Sequence, residues 1–212
     1  THGATRVGLT QPALFAVVPG LRVLIVEKAA QCLAKVRISG GGRCNVTHAC
    51  FEPRPLATRY PRGGKALVGA FTRFQPTDTI GWFARRGVEL KTEADGRMFP
   101  VTNRSETIIE CLEQEAAKAG VAVHVRCGVE SIRRGPGGFV IALQDGRSVR
   151  ATRVLIATGG CKPGTQTAML EGLGHSLLEP VPSLFTFHVE TDWVRSLAGL
   201  TVAQAEVSVP EC

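Results

Sequence analysis

The chain of 212 residues is 44% hydrophobic and 20% charged, enough apolar content for a sizeable core, which excludes a disordered or collagen-like polypeptide. No run approaches about 18 apolar residues, and the first residues lack the basic start, apolar stretch and cleavage site of a secretory signal, so no membrane helix is expected and the location reads as cytoplasmic. The formal net charge of +7 suits an anionic cofactor or substrate as well as nucleic acid, but the Arg residues are scattered, with Arg85-Arg86 and Arg133-Arg134 the closest pairs, so neither nucleic acid nor membrane is an expected partner.

The first clear strand is residues 21–26, nearly continuous in apolar residues, as a strand buried on both faces should be. It ends at Glu27-Lys28, and a Gly-rich turn follows at Gly40-Gly41-Gly42. Residues 53–100 form a mixed insertion. Within it, 64–71 pattern as a short helix. A second helix over 77–86 takes Thr77 as its N-cap, places Ile80, Phe83 and Ala84 on one face and stops at Gly87. Residues 88–90 and 97–99 pattern as short strands about a turn at Gly96. The longest helix is 104–119. Asn103 can cap it, Glu106 completes a capping-box pattern, and Gly120 ends it. Its apolar stripe is Ile108, Ile109, Leu112, Ala116 and Ala119. Val121, Val123 and Val125 then alternate as a strand. A hairpin follows, with 139–143 joined to the residues from Ser148 onward by an Asp145-Gly146 turn. Val154-Leu155-Ile156-Ala157 is a further buried strand, running into Thr158-Gly159-Gly160.

This order is that of an α/β domain with a parallel sheet. Past Pro180-Val181-Pro182 the pattern changes. Ala203, Ala205, Val207 and Val209 alternate with polar residues, the period of a half-buried strand. One domain is therefore expected over residues 1–185 and the start of another module over 186–212.

Three places carry residues suited to chemistry. Glu27 stands at the carboxyl end of a parallel strand, where dinucleotide-binding folds grip a ribose; an ordinary exposed Glu at a strand end is the alternative. In Ser39-Gly40-Gly41-Gly42-Arg43-Cys44-Asn45, three Gly let backbone N–H groups approach a ligand. Arg43 adds fixed charge, and Asn45 adds a donor and an acceptor. A turn alone does not need that composition, so ligand contact is the favoured reading. Ala157-Thr158-Gly159-Gly160 closes a buried strand where Gly lets the backbone pass beneath a cofactor, though a tight turn would also need it. Seven Cys are present, none spaced C-x-x-C, so no metal site is expected and the thiols read as reduced. Cys111 and Cys127 are expected as small buried hydrophobes. Cys44 is either a small packed residue, the favoured reading, or a redox group. His48, His124, His175 and His188 carry no distinguishing pattern, and no catalytic acid or base is assigned.

With Val26-Glu27-Lys28, Lys35 and the run from Ile38 to Thr47, the chain resembles the flavoprotein family that includes BaiN-type and aminoacetone-oxidase-type FAD-binding enzymes. Tyr60-Pro61, Gly96-Arg97-Met98-Phe99-Pro100, Ala157-Thr158-Gly159-Gly160 and Pro182-Ser183-Leu184 follow in that family's order. The resemblance implies a Rossmann-like FAD-binding domain, a parallel sheet with helices and a hairpin or meander layer, followed by the start of a β-rich inserted domain. It implies FAD as cofactor, with NADH or NADPH as candidate electron donor for an oxidoreductase of unassigned substrate. Glu27 would hold the adenosine ribose, with Lys28 and Lys35 near the cofactor. Ser39, Gly40, Gly41, Gly42, Arg43, Cys44 and Asn45 would lie along the pyrophosphate and flavin. Val129 would meet adenine through its backbone, Ala157, Thr158, Gly159 and Gly160 would lie close by, and Met98 to Pro100 would wall the flavin pocket.

Two departures stand out. The family opens with a strand and G-x-G-x-x-G, whereas residues 1–20 carry Gly3, Gly8 and Gly20 with Pro12 where a helix should run. The chain also stops near the first strand of the inserted domain. A fragment with an altered beginning is expected, prone to self-association through uncovered apolar faces. A non-catalytic relative that binds FAD weakly or not at all is the alternative.

Overall fold

Parallel strands organise the domain. The computed structural model describes residues 5–9, 21–159, 164–179, 193, 196 and 197. Strands β1 (Thr5–Leu9), β2 (Arg22–Val26), β6 (Ala122–His124) and β10 (Arg153–Ile156) form a four-stranded sheet in the order β10-β1-β2-β6. Every pairing in it is parallel. A second sheet is antiparallel, with β3 (Thr47–His48) and β4 (Leu90–Thr92) on either side of β5 (Arg97–Pro100). The third is a meander of β7 (Val129–Gly135), β8 (Gly138–Leu143) and β9 (Ser148–Ala151). The helices are α1 (Ala34–Gly42), α2 (Pro53–Thr58), α3 (Gly64–Phe71), α4 (Pro76–Ala84), α5 (Ser105–Lys118) and α6 (Thr165–Gly172). Residue contacts divide the chain into two units, Thr1–Leu177 and Leu178–Cys212. All these elements belong to the first. The module boundary expected at 186, Cys161, Cys212 and Gly160 lie outside the described residues.

Two apolar cores hold the unit together. One joins Val26 of the parallel sheet to Cys127, Ile132, Ile141, Leu143, Ala151 and Met169, with Val154 and Ile156 packed against it, so the meander and α6 share a core with the sheet. The other gathers Cys44, Phe83, Val88, Ile108 and Cys111 where α1, α4 and α5 meet. Cys111 and Cys127 are thus the buried small apolar residues expected of them. The Ser105 hydroxyl donates to the Arg37 carbonyl at 2.9 Å, and Arg37 pairs with Glu106 at 3.0 Å. These contacts tie the start of α5 to α1.

Several local expectations need correction. A first parallel strand does exist in residues 1–20: β1 pairs with β2 and β10. Its five residues, Thr-Arg-Val-Gly-Leu, hold too few apolar positions to stand out, and strand pairing rather than propensity sets it. The chain between β1 and β2, where a Gly loop and helix would lie, is outside the described residues. Helix α4 starts one residue before Thr77, with Gln75 at the N-cap. The Asp78 carboxylate accepts the Gln75 backbone N–H at 2.8 Å, and Pro76 occupies the first turn, where its missing N–H costs nothing. Helix α5 is preceded by Arg104 at the N-cap, while Asn103 takes a left-handed φ of 54° and turns the chain. Strand β4 begins at Leu90 rather than Val88, because Val88 packs into the second core. Leu155 of β10 is 43% exposed, so this strand is covered on one face only.

Candidate functional site

The parallel sheet changes direction at β1. The chain proceeds from β1 to β2 and β6 on one side, and β10 lies on the other. In open α/β sheets, ligands bind outside the carboxyl ends of the strands at such a switch point. Here that place is bordered by Glu27, immediately after β2, and by Thr158 and Gly159, soon after β10.

Glu27 is 7% exposed, which removes the reading as an ordinary surface carboxylate. Its backbone is fixed from both sides: its N–H donates to the His124 carbonyl and its carbonyl accepts from the Cys127 N–H, each at 2.8 Å. One carboxylate oxygen accepts the Ala29 N–H at 2.7 Å. A carboxylate can accept about four hydrogen bonds, and no other donor among the described residues reaches this one. A buried carboxylate so poorly paired calls for donors from a ligand.

Glu27 lines a cavity of about 210 Å³ together with Ala29, Gln31, Leu33, Ala34, Lys35, Val36, Thr158 and Gly159. Gly159 has a φ of 80°, and a Cβ there would collide with the Lys35 ammonium. Glycine therefore serves both the turn and the close approach of Lys35. Helix α1 begins in this cavity with no side-chain cap, its N-cap Leu33 held left-handed at φ 62°. An uncapped helix start beside an ammonium attracts anions. One cavity thus offers an acceptor for hydroxyl donors and positive potential for phosphate.

Leu33, Lys35 and Val36 also border a second cavity of about 460 Å³, lined further by Ser39, Cys44, Asn45, Val46, Thr79, Phe83, Ile108 and Leu112. The two spaces therefore share the first turn of α1. The glycine run follows. Ser39 leaves the helix at ψ 147°, and Gly40, Gly41 and Gly42 take φ values of 57°, 68° and 84°. At Gly40 a Cβ would meet Phe99 Cε1 at 2.7 Å, whereas at Gly41 and Gly42 it would meet nothing within 4 Å. Cys44 also has a left-handed φ of 62° and is buried. Burial raises its thiol pKa, against a lowering hydrogen bond with Ser39. The thiol therefore stays protonated at neutral pH and is a poor nucleophile.

The sequence-derived residues separate into groups. Glu27, Lys35, Thr158 and Gly159 converge on the first cavity, and Lys35, Ser39, Cys44 and Asn45 on the second. Arg43 has another role. Its guanidinium is paired with Glu93, donates to the Gly40 carbonyl at 3.3 Å and lies 4.0 Å from the Phe99 ring centroid. It fastens the glycine run to β5 instead of offering free charge to a ligand. Met98, Phe99 and Pro100 are buried behind that run and line neither cavity. Lys28 is exposed outside both, and Ala157 is half-buried next to Thr158. Val129 opens β7 and packs against the sheet–meander core.

Leu33 and Gln31 were not anticipated. Leu is seldom left-handed, so no residue-type signal marks that turn. A further cavity, about 510 Å³, lies on the β6 side of Glu27 among Ile25, Cys32, Leu112, Val121, Val123 and Val125; it shares only Glu27 with the expected site residues. Among the described residues no cluster suits a metal ion, and no helix is long and apolar enough to cross a membrane.

A family model described as the HI0933-like protein Rossmann domain matches residues 3–180. The chain is 30% identical over 192 residues to the ribosomal RNA dihydrouridine synthase of Escherichia coli (strain K12), covering 86% of this chain and 47% of that protein. It is 26% identical over 185 residues to the 3-dehydro-bile acid delta(4,6)-reductase of Clostridium scindens, covering 84% and 44%. The chain thus spans about half the length of the curated relatives it matches. Among solved structures, the open conformation of a flavocytochrome c3 fumarate reductase aligns with a TM-score of 0.54 at 20% identity, over 74% of this chain and 34% of that one, a likeness of fold. The matched residues run from β1 through α6, and the chain belongs to the HI0933-like Rossmann-domain family, that of the BaiN-like and aminoacetone-oxidase-like flavoproteins.

Proposed function

We propose that this chain is the FAD-holding part of a flavoprotein oxidoreductase that saturates a carbon–carbon double bond conjugated to a carbonyl, with NADH or NADPH as electron donor. The observation that carries the cofactor is Glu27: a buried carboxylate with one protein donor among the described residues, at the carboxyl end of a parallel strand, in a cavity it shares with Lys35 and Gly159. A ribose diol supplies the donors that Glu27 lacks. Lys35 and the uncapped backbone N–H groups at the start of α1 would hold a pyrophosphate. The rest of an elongated cofactor would be held in the second cavity, against the apolar side chains of Leu33, Val36, Phe83, Ile108 and Leu112. Ser39, Thr79 and Asn45 supply the few polar groups that orient what lies there.

When bound, FAD supplies the two-electron redox chemistry, and the protein binds, orients and shields it. The substrate class rests on the relatives' names. One describes reduction of a 3-oxo steroid unsaturated at positions 4 and 6. The other describes formation of dihydrouridine, a uridine whose ring double bond is saturated. Both place the reduced bond in conjugation with a carbonyl. The test is titration of FAD into the purified chain, followed by flavin fluorescence, with NAD and AMP as competitors. Saturable binding that Glu27→Ala weakens supports the reading. Binding of AMP or NAD in place of FAD overturns it.

A further inference from the structure

Arg43 and Glu93 line none of the three cavities, yet they close around the glycine run. Glu93 is placed by the turn between β4 and β5. Its N–H donates to the Arg97 carbonyl at 2.8 Å, and its own carbonyl accepts the Gly96 N–H at 2.9 Å. Arg43 Nη1 donates to Glu93 Oε1, and Nη2 reaches Oε2 at 3.5 Å, so both prongs of the guanidinium fork meet the carboxylate. The third donor, Nε, reaches the Gly40 carbonyl at 3.3 Å. The central carbon of the same group lies 4.0 Å from the Phe99 ring centroid, and Arg97 approaches Glu93 from its other side at 3.9 Å. A carboxylate, a backbone carbonyl and an aromatic ring thus orient one planar group.

Consecutive glycines have no Cβ to restrict their backbone, so nothing within the run fixes the peptide between Gly40 and Gly41. The surroundings do. Phe99 is fully buried against Gly40, and Arg43 holds the Gly40 carbonyl. The peptide is trans, and in a trans peptide the N–H points opposite to the C=O. Drawing the Gly40 carbonyl toward β5 therefore turns the Gly41 N–H away from β5. Gly41 itself is exposed, and a Cβ on it would meet nothing within 4 Å. The far end of the run is closed by the Ser39 carbonyl, which accepts the backbone N–H groups of Arg43 and Cys44.

The Arg43 and Glu93 side chains are 33% and 28% exposed, and an ion pair so open to water contributes little to stability. What the fork, the third hydrogen bond and the stacked ring supply is orientation. We infer that Arg43 and Glu93 are positioning residues for the cofactor: they fix the Gly40–Gly41 peptide, so that the glycine run meets the bound dinucleotide as a preformed surface. The inference rests on the flavin reading. A preformed run avoids the entropy of ordering three glycines at the moment of binding. Loss of either partner should therefore appear in cofactor affinity and leave folding nearly unchanged.

The test is FAD titration by flavin fluorescence of the full chain and of Arg43→Ala, Glu93→Ala, the double variant and Arg43→Lys, with urea midpoints on the same samples. Each single alanine variant should raise Kd about tenfold, and the double variant no further, because the two residues act together. Arg43→Lys keeps the charge but loses the fork, and should also bind about tenfold more weakly. Arg147→Ala removes the ion-paired arginine of the β8–β9 turn; it is the control and should keep wild-type affinity. Glycine labelled at both the amide nitrogen and the carbonyl carbon reports on the run itself by NMR, because Gly41, Gly42, Gly64, Gly138 and Gly160 alone follow another glycine. Without FAD, the Gly41 and Gly42 amide signals should shift and exchange faster with solvent in Glu93→Ala, while those of Gly64 and Gly138 stay. Single variants that bind within about twofold of wild type, losses that add in the double variant, or a lysine variant with wild-type affinity overturn the inference. Unchanged Gly41 and Gly42 signals do so as well. A wild-type chain that binds no FAD removes the flavin reading and this inference with it, whereas the other outcomes remove the inference alone.

Discussion

At the scale of single residues, the site depends on side chains and backbone angles that ordinary surface positions would not keep. Glu27 is buried, yet one backbone N–H is its protein donor among the described residues. If it accepts a ribose diol, Glu27→Ala should weaken FAD binding by about 1.5–3 kcal/mol, the range for hydrogen bonds to charged groups. Flavin fluorescence titration measures this, and an unchanged Kd in a folded variant would remove Glu27 from the site. The glycine run allows a sharper comparison. Gly40 and Gly41 are both left-handed, so replacing either by Ala costs about 1–2 kcal/mol of backbone strain. Only at Gly40 does the added Cβ also press on Phe99, adding about 1–3 kcal/mol of overpacking. Gly40→Ala should therefore lower the urea midpoint more than Gly41→Ala; equal losses would show that Phe99 yields. Glu27 and the glycine run were legible from residue type and from position after a strand. The left-handed turn at Leu33 was not, because nothing in a leucine announces a positive φ.

At the scale of elements, periodicity revealed α3, α4, α5 and the β8–β9 hairpin, but the caps had to be seen. Thr77 is the more usual capping residue, yet Pro76 fixes the first turn one residue earlier and leaves the N-cap to Gln75. Asp78→Ala removes the acceptor for the Gln75 N–H and should cost about 1 kcal/mol, read as a lower thermal midpoint with unchanged FAD affinity. Strand β7 escaped notice because its exposed face is polar and charged, with Ile132 its one buried residue. Where α1, α4 and α5 meet, two thiols offer a pH test. Burial is the main cause raising the pKa of Cys44 and of Cys111. The folded state therefore holds these protons at pH values where the unfolded chain releases them. Stability should be unaffected below the ordinary thiol range and fall as pH rises beyond about 8.5. Urea midpoints across that window check the sign, and Cys44→Ala should flatten the decline. A midpoint that rises with alkalinity would contradict it.

At the scale of the whole molecule, the α/β class, the parallel sheet and the order of elements were readable from the buried strands and the Gly-ended helices. The position of β1 was not, since two strand partners far apart in sequence create it. That topology has a consequence at the sheet margins. The order β10-β1-β2-β6 leaves β6 and β10 at the edges among the described residues. Every residue of β6 is exposed, Val123 to 44%, and Val125 just beyond it to 41%. An edge strand with uncovered apolar side chains and unpaired backbone groups is a template for pairing with a second copy. The chain should therefore associate as its concentration rises, and Val123→Lys with Val125→Lys should return it to monomer, since charge on an edge blunts such pairing. Both residues line the β6-side cavity and neither lines the cavities assigned to FAD, so FAD affinity should be preserved in that variant. Sedimentation velocity over a concentration series decides the matter: a wild-type chain that stays monomeric throughout, or a lysine variant that associates just as strongly, would show that β6 is not the contact.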